Sequence, residues 1–105
     1  MKYELGEVIA SRELYFIEDD GSKRKVVVKL GKPVPFPDSN DYYVPFQITG
    51  VGSETVLCAG GIDAFQAIQD VMKVIDAQCR ALNQTSSIRL RWEGDEGGGF
   101  GFVAS

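Results

Sequence analysis

Apolar positions recur along this chain with two different periods, and the change between them separates strands from a helix. From Leu5 to Ile17, Val8, Ala10, Leu14 and Phe16 share one parity, while Ile9, Ser11, Glu13 and Tyr15 share the other. That alternation predicts a long strand, with Arg12 intruding on its apolar side. Asp19-Asp20-Gly21-Ser22 then supplies a turn, and Asp20-Gly21 favours the positive φ angles of a two-residue type I′ hairpin. Lys23 to Leu30 returns as a second strand, Val26, Val28 and Leu30 facing one way and Lys25, Val27 and Lys29 the other. Tyr42 to Gly50 is the third, with Tyr42, Val44, Phe46 and Ile48 on one face. Pro45 has no N–H to give a ladder, which predicts either a sheet edge or a bulge there. Glu54 to Ala59 makes a fourth strand. Ile88, Leu90 and Trp92, alternating with Arg89, Arg91 and Glu93, make a fifth.

Strands two and three are joined by Gly31 to Asp41, with Pro33, Pro35 and Pro37 at alternate positions. Fixed φ angles and missing donors predict an extended, polyproline-like crossing there rather than a strand. The helix runs from about Asp63 to Leu82. Asp63 stands at the N-cap and Gln66 three residues on, the capping-box spacing. Phe65, Ile68, Met72, Ile75, Cys79 and Leu82 lay one apolar stripe along it. The element order β-β-β-β-α-β predicts an α+β fold of two layers, an antiparallel sheet of about five strands with one long helix on one face. Residues 1–105 form one domain, and 94–105 is a glycine-rich C-terminal tail whose aromatics either dock back on the sheet or stay free to move.

Composition adds limits to this picture. The 44% hydrophobic and 25% charged content is that of an ordinary globular domain, and the net charge is −4. An acidic balance argues against a nucleic-acid partner, which needs a positive footprint. No stretch approaches a membrane span, and Met1 to Glu7 is too polar for a secretory signal, so a cytoplasmic location and no membrane partner are expected. Cys58 and Cys79 are the only thiols, without CxxC spacing, and they read as core thiols of a reducing compartment, with a strand-to-helix disulfide in an exported protein as the alternative.

The chain has no histidine, so the common proton shuttle, metal ligand and triad base are missing. Gly97-Gly98-Gly99 is not followed by a helix, lysine or threonine, and does not make a phosphate loop. Neither a catalytic set nor a cofactor or metal site is expected. The aromatics are densest at Phe36, Tyr42, Tyr43 and Pro45, which form a candidate interface beside a rigid loop, with packing of the sheet end as the alternative role. Asp63 and Gln66 are expected to serve the helix cap alone.

Tyr42-Tyr43-Val44-Pro45-Phe46-Gln47-Ile48-Thr49-Gly50, followed by Gly61-Ile62-Asp63-Ala64-Phe65-Gln66-Ala67-Ile68-Gln69, resembles an uncharacterised family of small bacterial domains of unknown function. Trp92, Gly94-Asp95 and Gly101-Phe102 fit its closing segment. Val44 stands where many members carry cysteine. The resemblance implies a bacterial, cytosolic origin and the two-layer fold, and carries no activity.

Two kinds of function fit these observations. The first is a non-enzymatic protein-interaction module, adaptor-like or immunity-like, binding another protein or itself through a free sheet edge. The second is a small-ligand or enzyme domain with a pocket between the sheet and loop 31–41, using Asp41, Tyr42, Tyr43 and the arginines of the last strand.

Overall fold

A computed structural model describes residues 3–103; the last two residues of the expected tail, 104 and 105, lie outside them. Strands β1 (Val8–Ile17), β2 (Lys23–Gly31), β3 (Val34–Pro35), β4 (Tyr42–Thr49) and β5 (Leu57–Gly61) form one antiparallel sheet, followed by helix α1 (Ala64–Thr85). The expected α+β architecture is present. Its fifth strand, however, is not the one that alternation indicated.

The β1–β2 hairpin keeps its place but closes differently. Gly21 N–H donates to Glu18 O at 2.9 Å and Glu18 N–H to Ser22 O at 2.9 Å, with the positive φ confined to Gly21. Asp19-Asp20-Gly21 is therefore a three-residue loop with a left-handed glycine, not the two-residue type I′ turn. Ser22 stabilises it by donating its backbone N–H to Asp20 Oδ1 at 2.8 Å and its hydroxyl to Glu18 Oε2 at 2.9 Å.

β4 is central. Tyr42 and Tyr43 pair with β3 on one flank and β5 on the other, and Phe46 pairs with Leu30 of β2 and Leu57 of β5. β2 and β3 therefore lie in line along the same flank. Pro45 is an interior residue, which corrects the edge reading, and the irregularity is what accommodates it. Leu30 pairs with Phe46 and Val34 with Tyr43, so Gly31, Lys32 and Pro33 oppose only Val44 and Pro45. The ladder breaks where the proline has no donor. Gly31 is needed beside it, since a Cβ at that position would stand 2.7 Å from Pro45 Cγ. The proline-rich segment is not an extended crossing: Val34 and Pro35 join the sheet as β3, and the chain then turns back, with Phe36 N–H donating to Asp41 O at 2.9 Å, to pair β3 with β4.

α1 starts as its sequence dictates. Asp63 Oδ1 accepts from Gln66 N at 2.7 Å, and Gln66 Oε1 reaches back to accept from Ile62 N at 2.7 Å. Its buried line is Ala67, Val71, Ile75 and Cys79, at intervals of four. Four residues turn a helix by about 400°, so this line drifts around the axis and the helix crosses β4 and β5 obliquely. The stripe expected from the sequence meets the buried line only at Ile75 and Cys79. Phe65, at its start, is 82% exposed.

Beyond the helix, Ile88 to Glu93 makes no strand. It contributes one bridge, Tyr15 to Arg91, with N–H···O distances of 2.9 and 2.8 Å. The segment then turns inward, and Leu90 and Phe100 join Leu14, Val26, Val44 and Phe46 in the core.

Candidate functional site

Of the four residues expected at an interface, three share a face. Val44, Phe46 and Ile48 point to the helix, so Tyr43 and Pro45 occupy the opposite face of β4. Phe36 stands 5.0 Å from Tyr43 between ring centroids, and Tyr3 stands 5.1 Å from it on another side. Tyr3 was not singled out in the sequence, because the segment that carries it has no periodicity. Hydrogen bonding with the neighbouring Cys58 side chain raises the Tyr3 pKa above its ordinary value. Pro45 is buried, and Cys58 opposes it on β5. Tyr42 lies on the other parity and packs against the core. Tyr3, Phe36 and Tyr43 cluster on the Tyr43 face of the sheet, each partly exposed, beside the buried Pro45.

The five principal cavities have no residue of 31–41 in their walls. The arginines assigned to a pocket at that loop are elsewhere. Arg91 bridges to β1, and Arg89 donates to the carbonyls of Asn83, Ser86 and Ile88 at the end of α1. There a cation also opposes the helix dipole.

The opening with most apolar character lies on the helix side of β1 and β2, which α1 leaves partly uncovered. Ala10, Val28 and Leu30 form its floor, and Ile68, Met72 and Ile75 form one wall. Phe102 closes the other side, and the groove encloses about 260 Å³. Phe65 precedes Ile68 and Met72 by three and seven residues, so it extends the same helix face outward. Ile68 and Met72, which are only partly buried against the core, thus turn their remaining surface to the groove.

Ser11 and Arg12 supply the polar atoms of this groove. Arg12 occupies the inward parity of β1, which is why it breaks the strand's alternation. Its guanidinium carbon stands 3.9 Å from the centroid of the Trp92 ring and 5.0 Å from that of Phe102. Arg12 Nη1 donates to Phe100 O at 2.9 Å. The arginine is held in place by two aromatic faces and one carbonyl.

Three cations near the hairpin turn are paired with acids. Lys23 pairs with Glu93 at 2.5 Å, Arg24 with Glu18 at 2.9 Å and Lys25 with Glu13 at 3.3 Å. These pairs lower the pKa values of Glu93 and Glu18 and raise that of Lys23. Exposed as they are, they contribute little to stability. On α1, buried Asp76 accepts from Arg80 at 2.7 Å. Cys79 is fully buried, and burial, with Asp76 close by, pushes its thiol pKa up to about 12. Cys58 is half-buried, and neither cysteine is in a disulfide. Among the described residues no group of three acid or thiol side chains converges on a point where a metal ion could sit, and no helix is long and apolar enough to cross a membrane.

A family model described as a domain of unknown function (DUF6968) matches residues 10–104. No curated protein and no solved structure matches the chain.

Proposed function

The chain belongs to the DUF6968 family of domains of unknown function, and from that premise we propose that it is a non-enzymatic protein-interaction module. Its docking surface is the apolar groove between α1 and the β1–β2 hairpin. One observation carries this reading: Phe65, 82% exposed, continues outward the helix face whose Ile68 and Met72 wall the groove. An exposed phenylalanine adjoining half-buried aliphatic groups is surface that binding would take out of water. The strand edge is a poorer candidate. β1 carries a register shift between Val8 and Ala10 and an inward-pointing charge at Arg12, two devices that discourage strand addition.

Site-specific photo-crosslinking in the native host tests this assignment. A crosslinker at Phe65 or Met72 should trap one protein, whereas a crosslinker at Lys73, exposed on another face of α1, should not. Equal trapping from all three positions, or from none, overturns the groove as docking surface. A trapped second copy of the chain would make the module self-associating.

A further inference from the structure

We infer that the groove takes the hydrophobic C-terminal end of a partner protein, whose terminal carboxylate binds Arg12. This rests on the groove being the docking surface and names the chemistry of its occupant. Three observations support it.

The first is charge. Lys23, Arg24 and Lys25, the cations nearest the hairpin turn, each have an acid partner. Arg12 has no carboxylate partner among the described residues, and no acid lines the groove. A cation on an otherwise apolar wall calls for an anion.

The second is preorganisation. Trp92 and Phe102 fix the guanidinium, and only Nη1 is committed, to Phe100 O. The other guanidinium donors have no protein acceptor among the described residues. A planar fork held this way matches a carboxylate, with little side-chain freedom left to lose on binding.

The third is size. About 260 Å³ accommodates a few aliphatic side chains and not a long segment. An internal Asp or Glu would bring backbone on both sides, whose N–H and C=O groups would meet an apolar floor unpaired. A chain end brings backbone on one side only, and its carboxylate adjoins its last side chain.

The test uses the unaltered protein and two probes, acetyl-Val-Leu-Leu with a free carboxylate and the same peptide as its C-terminal amide, followed by NMR. The acid should shift the Met72 methyl and Trp92 indole signals, and the amide should bind at least tenfold more weakly. Arg12→Gln should remove that preference. Because Arg12 also holds Phe100, the comparison of acid with amide on the native chain is the deciding one. Equal binding of both peptides overturns the carboxylate anchor and leaves the groove as docking surface. Binding of neither at millimolar concentration overturns the chain-end occupant, and crosslinking from Phe65 then decides the groove separately. Decanoate shifting the same signals where the tripeptide does not would assign the groove to a free aliphatic acid and overturn the inference.

Discussion

Asn83 stands in for a missing strand beside Leu90. Its Oδ1 accepts the Leu90 N–H at 2.7 Å and its Nδ2 donates to the Leu90 carbonyl at 3.2 Å, satisfying both main-chain groups of a residue that is 1% exposed. The alternation of Ile88, Leu90 and Trp92 therefore needs no second strand partner. Asn83→Ala should cost about 1–3 kcal/mol, the penalty of leaving buried main-chain groups unpaired. Asn83→Asp keeps the acceptor for the Leu90 N–H but sets a carboxylate oxygen against the Leu90 carbonyl, and should also destabilise. Urea denaturation followed by the fluorescence of Trp92, the only tryptophan, measures both; equal stability of all three proteins would refute the role.

Arg12→Ala removes a hydrogen bond and the contacts with two rings, and should destabilise the fold by about 2 kcal/mol. Arg12→Lys keeps a cation above Trp92 without the planar fork, and should recover part of that loss. The emission maximum of native Arg12→Ala should move to the red as Trp92 gains water. An unchanged maximum would mean that the ring is held by other contacts.

The helix can be phased by two substitutions. Ile75→Ala should cost about 2–5 kcal/mol through a core cavity. Phe65→Ala, at an exposed position, should stay within about 0.5 kcal/mol. Asp63→Ala lies between, at about 1 kcal/mol, from the lost cap. A large cost at Phe65 in urea melts would restore the stripe as the sequence drew it.

Alkali should weaken the fold through Cys79. A raised thiol pKa in the native state means that only the unfolded chain loses this proton as pH climbs past its ordinary value of 9.0. From there to about 12 the native state forfeits stability, at roughly 1.4 kcal/mol per pH unit for one group. Below pH 9 the group contributes no pH dependence. Cys79→Ala should flatten the alkaline limb of a stability-against-pH curve, and an unchanged limb would point to other groups. In the native protein at pH 8, Cys58 should react with a thiol reagent well before Cys79.

The fold class was legible because its signals are local. The parities of Val26, Val28 and Leu30, and of Val44, Phe46 and Ile48, needed no knowledge of neighbouring strands. Asp63 and Gln66 marked the helix start unaided. Where the reading failed, the deciding contacts were distant or competing. Pro45 is tolerated inside the sheet because Gly31, fourteen positions earlier, makes room and the register slips beside it. Asp20 keeps a negative φ, so Gly21 alone turns the hairpin. The helix stripe was half right, since periodicity fixes a face without saying how obliquely it crosses a sheet. The groove is assembled from β1, β2, α1 and Phe102, four separate stretches, and it could not be read as a unit. One anomaly did point to it, the arginine on an apolar parity of β1.

Arg12 and the carbonyl of Phe100 are separated by 88 positions along the chain. During synthesis the β1–β2 hairpin can form once residues 8–31 have been made, but the core cluster that holds Leu14 and Val26 lacks Leu90 and Phe100 until those residues follow. The nascent chain thus passes through a stage in which the hairpin and helix are made and the core is incomplete, a period in which a sticky intermediate is exposed to its neighbours. Closure waits for the C-terminal segment, which acts as the last piece of the fold as well as one side of its groove.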